Sequence, residues 1–275
     1  MAELSLEVLG CGEVGVDEAV PNRSVSKNPL AFIGFCRSKK KHHIVIPVKC
    51  FLITHPSGAK ILVDTGWDSQ VRQHPIKTIT YPMWVASKPI LPIGEAVDEQ
   101  LQARSIKPSD LAYVILTHMD IDHDSGLPLV KEVPHILISP EEKKALRSGD
   151  LRYVKKPYEG IALETIRWTG NYGPFQKSWD VFNDGSVVVF LTPGHSAGSL
   201  SIKIEKEGQF ALVVGDSGYN EASWDHLYLP GPVSSKEDLK KTLSWIAGMR
   251  KSPCCRGVFC AHDPSEMSKP QTLVF

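Results

Sequence analysis

The chain has 275 residues, of which 42% are hydrophobic, and its 31 basic and 31 acidic residues give a formal net charge of zero. This composition suits a sizeable buried core and lacks the positive charge expected of a nucleic-acid-binding protein. No stretch approaches the roughly 18 consecutive apolar residues of a transmembrane helix, and the segment from Met1 to Arg23 lacks the features of a signal peptide. We therefore expect a cytoplasmic protein with neither a membrane partner nor a nucleic-acid partner.

The spacing of the cysteines predicts thiols rather than disulfides. The chain contains six cysteines, Cys11, Cys36, Cys50, Cys254, Cys255 and Cys260. They show no paired framework, and in a chain of this length reduced, mostly buried thiols are the simpler interpretation. A zinc knuckle near the C-terminus is disfavoured, because no second CxxC element accompanies the last three cysteines.

Alternating apolar residues, separated by Gly and Pro, predict an ordered series of strands and helices. In chain order the predicted elements are strands at 3–9, 45–54 and 60–63, a helix at 94–105, a strand at 111–116, a helix at 139–148, strands at 186–191, 199–205 and 210–215, a helix at 236–249 and a last strand before Cys260. Ser139 and Ser235 are predicted N-caps, with Pro140 at the first helical position and Glu142 completing a capping box. This alternation without a long linker favours a single α/β domain over residues 1–275.

Two segments fall outside this pattern. Residues 37–43 read RSKKKHH, for which a solvated basic loop is the simpler interpretation and a site for an anionic substrate or partner is the alternative. Residues 67–93 combine prolines with large apolar side chains and predict a long irregular stretch. A lid or acyl-binding wall is as consistent with that stretch as core packing or a homodimer contact, so these roles stay open.

A cluster of potential metal ligands, His118, Asp120, Asp122 and His123, directly follows the predicted strand at 111–116. Imidazole and carboxylate groups suit divalent first-row metals, and the alternating spacing directs the first two side chains to one side and the last two to another. A polar loop that happens to be acidic is the alternative.

Three later motifs repeat the order of a short apolar strand, a tight turn and a His or Asp. They are PGHSAGS around His195, GDSGY around Asp216 and CAHD around His262. A lone His is more often structural than a ligand, but several such motifs in order favour a composite metal site.

The HxDxDH motif, together with His195, Asp216 and His262, resembles the metallo-β-lactamase superfamily of hydrolases. Residues 59–66, AKILVDTG, are similar to the early strand and Asp-Thr-Gly turn of that family. The resemblance implies a four-layer αββα sandwich with two facing sheets, helices outside them and ligand loops at one edge. Tyr219, three residues after Asp216, looks most similar to the N-acyl homoserine lactonase group.

Asp120 departs from the family pattern, which is HxHxDH with a second histidine at this position. An intact site with altered metal preference is favoured over a decayed or one-metal site, because Asp is itself a ligand, directly or through a water. The added negative charge would weaken the bound metals as Lewis acids and raise the pKa of their water. A more oxygen-rich ligand set also makes manganese or iron possible beside zinc.

The resemblance implies a role for each candidate residue. The implied ligands are His118, Asp120 and His195 for one divalent ion, Asp122, His123 and His262 for a second, and Asp216 as a bridge between two ions that are expected to be zinc. The candidate catalytic residues are Asp122 and Tyr219. A metal-bridging hydroxide would attack the carbonyl, and Tyr219 would donate a hydrogen bond to the developing oxyanion.

The leading functional prediction is a dinuclear metal-dependent hydrolase that opens the ester ring of a small-molecule lactone similar to an N-acyl homoserine lactone. Hydrolysis of another ester, a thioester or a phosphoester is one alternative, because a single fold and site host many reactions. A non-hydrolytic metal-binding or redox relative is the other.

Overall fold

A computed structural model describes residues 2–28, 40–265 and 271–275, so that Cys36 and residues 37–39 of the basic cluster lie outside it. The strands of the described residues are β1 (Ser5–Asp17), β2 (His43–Thr54), β3 (Lys60–Val63), β4 (Lys88–Ile90), β5 (Tyr113–Ile115), β6 (Ile136–Ile138), β7 (Leu163–Thr165), β8 (Ser178–Asp180), β9 (Val187–Leu191), β10 (Leu200–Lys206), β11 (Gln209–Val213), β12 (Cys255–Phe259) and β13 (Thr272–Val274). The α-helices are α1 (Pro75–Ile79), α2 (Tyr81–Ala86), α3 (Val97–Ala103), α4 (Ile121–Asp124), α5 (Pro140–Ala145), α6 (Glu221–Asp225) and α7 (Lys236–Arg250). Within these ranges, none of the helices has the length and apolar character needed to cross a bilayer.

The strands form two sheets. The larger sheet has the order β13-β1-β2-β3-β5-β6-β7, with β4 paired to β1, and its strands β3, β5, β6 and β7 run parallel. The smaller sheet has the order β12-β11-β10-β9-β8. Its β9 and β11 are each antiparallel to β10, and β12 is parallel to β11. The carboxyl ends of β9, β11 and β12 therefore lie at the same edge.

Alternation along β2 divides its side chains between two cores, because successive strand residues point to opposite faces. Phe51 and Ile53 face the smaller sheet and pack with side chains of β9 and β10. Cys50 and Leu52 point the other way, into a core that includes Leu101 of α3. The larger sheet is therefore covered by the smaller sheet on one face and by a helix on the other.

Helix α7 covers the outer face of the smaller sheet. Leu239, Leu243 and Ile246 recur at helical spacing and pack against side chains of β11 and β12. The predicted cap is confirmed, because Ser235 Oγ accepts a hydrogen bond from Asp238 N at 3.2 Å. The layers run helix, sheet, sheet, helix, which confirms the predicted αββα sandwich.

Strand β1 is longer than the predicted strand at 3–9 because a bulge carries it onward. Its pairing with β2 shifts register between Gly10 and Glu13. Gly12 adopts φ +96° at this point, where a Cβ would lie 2.6 Å from the carbonyl oxygen of Ile90. Beyond the bulge, Val14 and Val16 reach the cavity described below.

Two helices are shorter than predicted. Helix α3 covers Val97–Ala103 rather than 94–105, and Gly94 before it adopts φ +92°. Helix α5 ends at Ala145 rather than at 148. Ser139 caps α5 as predicted, because its Oγ accepts from Glu142 N at 2.9 Å. The predicted capping box is wrong, since the Glu142 carboxylate binds two loops of the candidate site instead.

The prediction of an irregular stretch at 67–93 is wrong. The segment folds into α1, α2, β4 and a 3₁₀ turn at Ser69–Arg72. Trp67 and Ile79 are fully buried in a core at the end of β1. Pro82 and Met83 line the cavity instead. The segment therefore contributes both to core packing and to the cavity wall, two of the roles that the sequence left open.

The cysteines of the described residues are free thiols, and Cys11, Cys50 and Cys260 are buried. Within the described ranges, the groups of side chains that could hold a metal ion contain only His and Asp. Among the described residues, Cys254, Cys255 and Cys260 therefore belong to none of these groups.

Candidate metal centre

Four loops place His and Asp side chains at one edge of the sheets. The loop after β5 carries the HxDxDH motif, and the loops after β9, β11 and β12 carry His195, Asp216 and His262 respectively. The four histidines of these loops are buried, with at most 3% of their surface exposed. Because each loop follows a short buried strand, the polar side chains are held against the core rather than in solvent.

One group of potential ligands contains His118, Asp120 and His195, whose ligand atoms all lie within 4.8 Å of one another. The Nε2 atoms of His118 and His195 lie 3.3 Å and 3.1 Å from Asp120 Oδ2. The two imidazole rings meet edge to face with centroids 4.7 Å apart. Two imidazole nitrogens and one carboxylate oxygen thus converge on a single point.

A second group contains Asp122, His123 and His262, again within 4.8 Å. Asp216 lies between the two groups. Its Oδ1 is 3.3 Å from His123 Nε2, and its Oδ2 is 3.2 Å from His262 Nε2 and 3.7 Å from His195 Nε2. The structure therefore brings together all seven side chains that the sequence singled out as ligands.

Groups outside the centre orient two of its imidazoles. His123 Nδ1 donates to Asp64 Oδ2 at 2.8 Å, and His262 Nδ1 donates to the Pro47 carbonyl at 2.7 Å. A proton held on Nδ1 leaves the lone pair of Nε2 directed into the centre, as a metal ligand requires.

Asp64 is a support that the sequence indicated only through the Asp-Thr-Gly resemblance. Its backbone adopts φ +62°, which is uncommon for a residue other than Gly. Its Oδ1 accepts from Thr117 N at 2.7 Å, and its Oδ2 accepts from Thr117 Oγ1 at 2.8 Å as well as from His123. Thr117 Oγ1 lies 3.0 Å from His118 Nδ1. One buried carboxylate therefore holds a ligand directly and a second one through Thr117.

The pKa values of the imidazoles are perturbed in opposite directions. Burial disfavours protonation of His123 and His262, but Asp216 and the neighbouring carboxylates outweigh burial and raise both pKa values. Burial and the Arg152 guanidinium lower the pKa of His195 to about 4. The part of the centre around Asp216 therefore attracts positive charge, either as protons or as a cation.

Unpartnered atoms test whether a metal fits these residues. His118 Nε2, His123 Nε2 and Asp216 Oδ1 are buried without a hydrogen-bond partner, and these three side chains form a further group with ligand atoms within 4.8 Å. Leaving such atoms unsatisfied is costly, and cations bound at the centre would satisfy them. Imidazole and carboxylate donors suit zinc, manganese and iron, so the residues fit divalent ions.

Arg152 is a component of the centre that the sequence did not indicate. Its Nε and Nη2 donate to the two oxygens of Asp120, the second bond measuring 2.7 Å, and its Nη1 donates to the His195 carbonyl at 2.5 Å. Burial opposes ionisation of Asp120, yet Arg152 and His118 hold its pKa well below its usual range. The expectation of an added negative charge at Asp120 left out Arg152, which pairs this carboxylate with a positive charge.

Glu142 is a second component that the sequence misassigned. Its carboxylate accepts from Ser196 Oγ at 2.7 Å and Gly198 N at 2.9 Å in the His195 loop, and from Met119 N at 3.1 Å in the HxDxDH loop. Its place three residues after Ser139 suggested a hydrogen bond within the capping box. No signal in the sequence distinguishes that local bond from the bonds to these two loops. Glu142 fixes the two ligand loops relative to each other.

A cavity of about 690 Å³ opens onto the centre. Its lining includes the centre residues Asp120, Asp122, Asp216 and His262, with Tyr219 beside them. Apolar side chains from β1, β2 and the α2 segment form much of the remaining wall, including Val14, Val16, Ile46, Met83 and Val85. A substrate with an apolar substituent can therefore lie in the cavity with its polar end at the centre.

Tyr219 lies against the centre and lines the cavity. Its ring stacks on His262 with centroids 5.1 Å apart and an angle of 17° between the planes. Burial and the carboxylates of Asp216 and Asp122 raise the pKa of Tyr219 well above its usual range. The hydroxyl therefore stays protonated at neutral pH and can donate.

An αββα sandwich with a buried His and Asp centre at the ends of its strands defines a class of metal-dependent hydrolases. A family model described as the Metallo-beta-lactamase superfamily matches residues 44–254. The chain belongs to the metallo-β-lactamase superfamily.

The chain is similar to several proteins named as N-acyl homoserine lactonases. An N-acyl homoserine lactonase of Bacillus cereus is 31% identical over 229 residues, which cover 79% of this chain and 82% of the relative. The N-acyl homoserine lactonase AttM of Azorhizobium caulinodans is 26% identical over 227 residues, covering 80% and 82%. A solved N-acyl homoserine lactone hydrolase, with N-hexanoyl-L-homoserine bound at its catalytic metal centre, superposes with a TM-score of 0.77 at 20% identity over 98% of both chains.

Proposed function

We propose that this chain is a metal-dependent hydrolase that opens the ester ring of a lactone, as its relatives named N-acyl homoserine lactonases do. The observation that carries the proposal is the position of Tyr219 and two groups of His and Asp ligands at the end of an apolar cavity. A lactone ring could contact the ligand groups while its substituent lies along the apolar wall.

We assign two divalent ions to the centre. The proposed ligands are His118, Asp120 and His195 for one ion, Asp122, His123 and His262 for the other, and Asp216 between them. Bound there, such ions would supply Lewis acidity and an activated water. Zinc suits the set best, and the Asp120 oxygen keeps manganese and iron as alternatives.

The protein's own groups have distinct tasks in this proposal. Tyr219 donates a hydrogen bond to the carbonyl oxygen as negative charge develops on it. Asp216 stays ionised, because His262 and His123 outweigh burial and hold its pKa well below its usual range. We assign to Asp122, whose side chain is 17% exposed and lines the cavity, the role of accepting a proton and returning it to the leaving ring oxygen.

The apolar wall favours lactones with an acyl or aromatic substituent. Each methylene buried there contributes about 0.8 kcal/mol to binding, so KM should fall as the acyl chain lengthens until the cavity is filled. A small-molecule ester is therefore the proposed substrate class. A homodimer stays a prediction from the sequence.

A substrate panel tests the proposal. Metal-replete protein should hydrolyse N-acyl homoserine lactones faster than linear esters, thioesters and phosphoesters of equal chain length. Met83→Ala, in the cavity wall, should raise KM for long-chain lactones several-fold and leave kcat unchanged. Ile93→Ala is the matched control, because Ile93 is 90% exposed and lies outside the cavity lining. Preference for a linear ester or thioester would contradict the assigned substrate class.

A further inference from the structure

Arg152 contacts two of the proposed ligands of one ion at once. Its guanidinium binds both carboxylate oxygens of Asp120 through Nε and Nη2, and its Nη1 binds the backbone carbonyl of His195. The side chains of Arg152 and Asp120 are only 16% and 17% exposed. Ser234 donates to the same His195 carbonyl from its hydroxyl at 3.1 Å. The contact is therefore a bidentate and largely buried ion pair rather than a solvent-exposed one. We call this bidentate pair of Arg152 and Asp120 the fork.

The fork leaves Asp120 able to bind a metal ion. A carboxylate has about four lone-pair positions, and the two bonds from Arg152 use one on each oxygen. The second position on Oδ2 is directed towards His118 and His195, whose Nε2 atoms lie 3.3 Å and 3.1 Å from that oxygen. Arg152 thus holds the carboxylate in the orientation in which that oxygen completes the group.

The fork also restores the charge of a histidine ligand. A carboxylate with a bound guanidinium has no formal charge, as a neutral imidazole has none, so the ion at this position meets the same total charge. Asp120, held in place by Arg152, therefore takes the position of the longer, neutral histidine of the family pattern.

We propose that Arg152 is a positioning residue that makes Asp120 a metal ligand, by fixing its carboxylate against His118 and His195 and neutralising its charge. The inference rests on the proposed function only in taking the centre to bind metal ions. It requires no particular substrate.

Zinc binding to metal-free protein tests the inference, with equilibrium dialysis and metal analysis as the readout. Wild type should bind two ions per chain. Arg152→Met should weaken one of them about 10–100-fold, the usual effect of removing a support of a metal ligand, while the other keeps its wild-type affinity. Arg152→Lys keeps the charge but loses the bidentate contact, so its zinc affinity should lie between those of wild type and Arg152→Met.

A matched control is Arg72→Met. Arg72 binds both carboxylate oxygens of Glu99, at 2.8 Å and 2.5 Å, and also donates to the Leu91 carbonyl at 3.0 Å, outside the metal centre. This variant loses a comparable bidentate ion pair, between Arg72 and Glu99, and should bind zinc as wild type does. Circular dichroism on every variant separates lost folding from lost binding.

A double variant tests the coupling of the two positions. Asp120→His alone places an imidazole against an unpaired guanidinium, so this variant should bind the ion of His118 and His195 poorly. The double variant Asp120→His with Arg152→Met should bind that ion tightly again. Zinc binding by Arg152→Met and Arg152→Lys as tight as wild type, or tighter, would overturn the inference, and so would equal affinity of the single and double Asp120→His variants. Because no substrate is used, a failure to hydrolyse lactones would refute the proposed function and leave this result intact.

Discussion

Asp64→Asn gives the sharpest test of how the centre is built. Asp64 is buried and accepts from His123 Nδ1 and Thr117 Oγ1 through one oxygen and from Thr117 N through the other. Asn has the same shape, and it tolerates the left-handed backbone at φ +62°. The substitution therefore changes the side-chain chemistry at this position and leaves the turn in place.

The expected effect follows from the tautomer of His123. If the Asn amide nitrogen replaces Oδ2, it places a donor against Nδ1, so the ring proton moves to Nε2, the atom that faces Asp216. Loss of such a support typically costs 10–100-fold in metal affinity, or about 1.4–2.8 kcal/mol. The altered buried hydrogen bonds should lower the unfolding free energy of the metal-free protein by about 1–3 kcal/mol.

Zinc titration of the metal-free variant and thermal melts measure these two effects. Asp68→Asn is the control, because Asp68 accepts from Gln70 N at 2.8 Å at an exposed turn and should bind zinc normally. Two zinc ions bound by Asp64→Asn with wild-type affinity would refute the reasoning.

The other predictions concern single groups and pH. Tyr219→Phe should lower kcat by about a hundredfold or more with zinc content unchanged, as loss of one oxyanion donor does; unchanged kcat in steady-state assays would remove Tyr219 from the mechanism. Gly194→Ala should lower Tm in thermal melts or prevent folding, because Gly194 adopts φ +137° and its Cβ would lie 2.4 Å from the Leu239 backbone; a wild-type Tm would contradict this. The raised pKa values of His123 and His262 mean that protons stabilise the metal-free fold, so its Tm should fall as pH rises from 6.5 through those values while zinc affinity rises. A Tm that increases over that range would contradict the assigned pKa directions.

Much of the fold was predictable because the long strands and helix α7 carry clear apolar patterns. The β2 segment carries apolar side chains on both faces, and the α7 segment combines a cap at Ser235 with leucines at helical spacing. Strands of three residues such as β6 and β7 were missed, because so short a segment becomes a strand only through its neighbours in the sheet. The single domain over residues 1–275 stays a prediction.

The proposed ligand side chains could be singled out in the sequence because they lie in loops that follow short apolar strands. Two residues that support them, Arg152 and Glu142, could not be predicted. Arg152 lies 32 residues after Asp120 and Glu142 lies 54 residues before its partner Ser196, so neither pairing leaves a local pattern. The charge argument at Asp120 was incomplete for the same reason: the carboxylate was visible in the sequence, whereas its partner cation Arg152 became visible only in the fold.

Dependence of lactone opening on bound metal tests the central claim most directly. Zinc is added to metal-free protein in steps, and acid release from an N-acyl homoserine lactone is measured together with zinc bound per chain. We predict no hydrolysis without metal and a rate that reaches its maximum when two ions are bound. Full activity of the metal-free protein, or no activity with both ions bound, would contradict a two-metal lactone hydrolase.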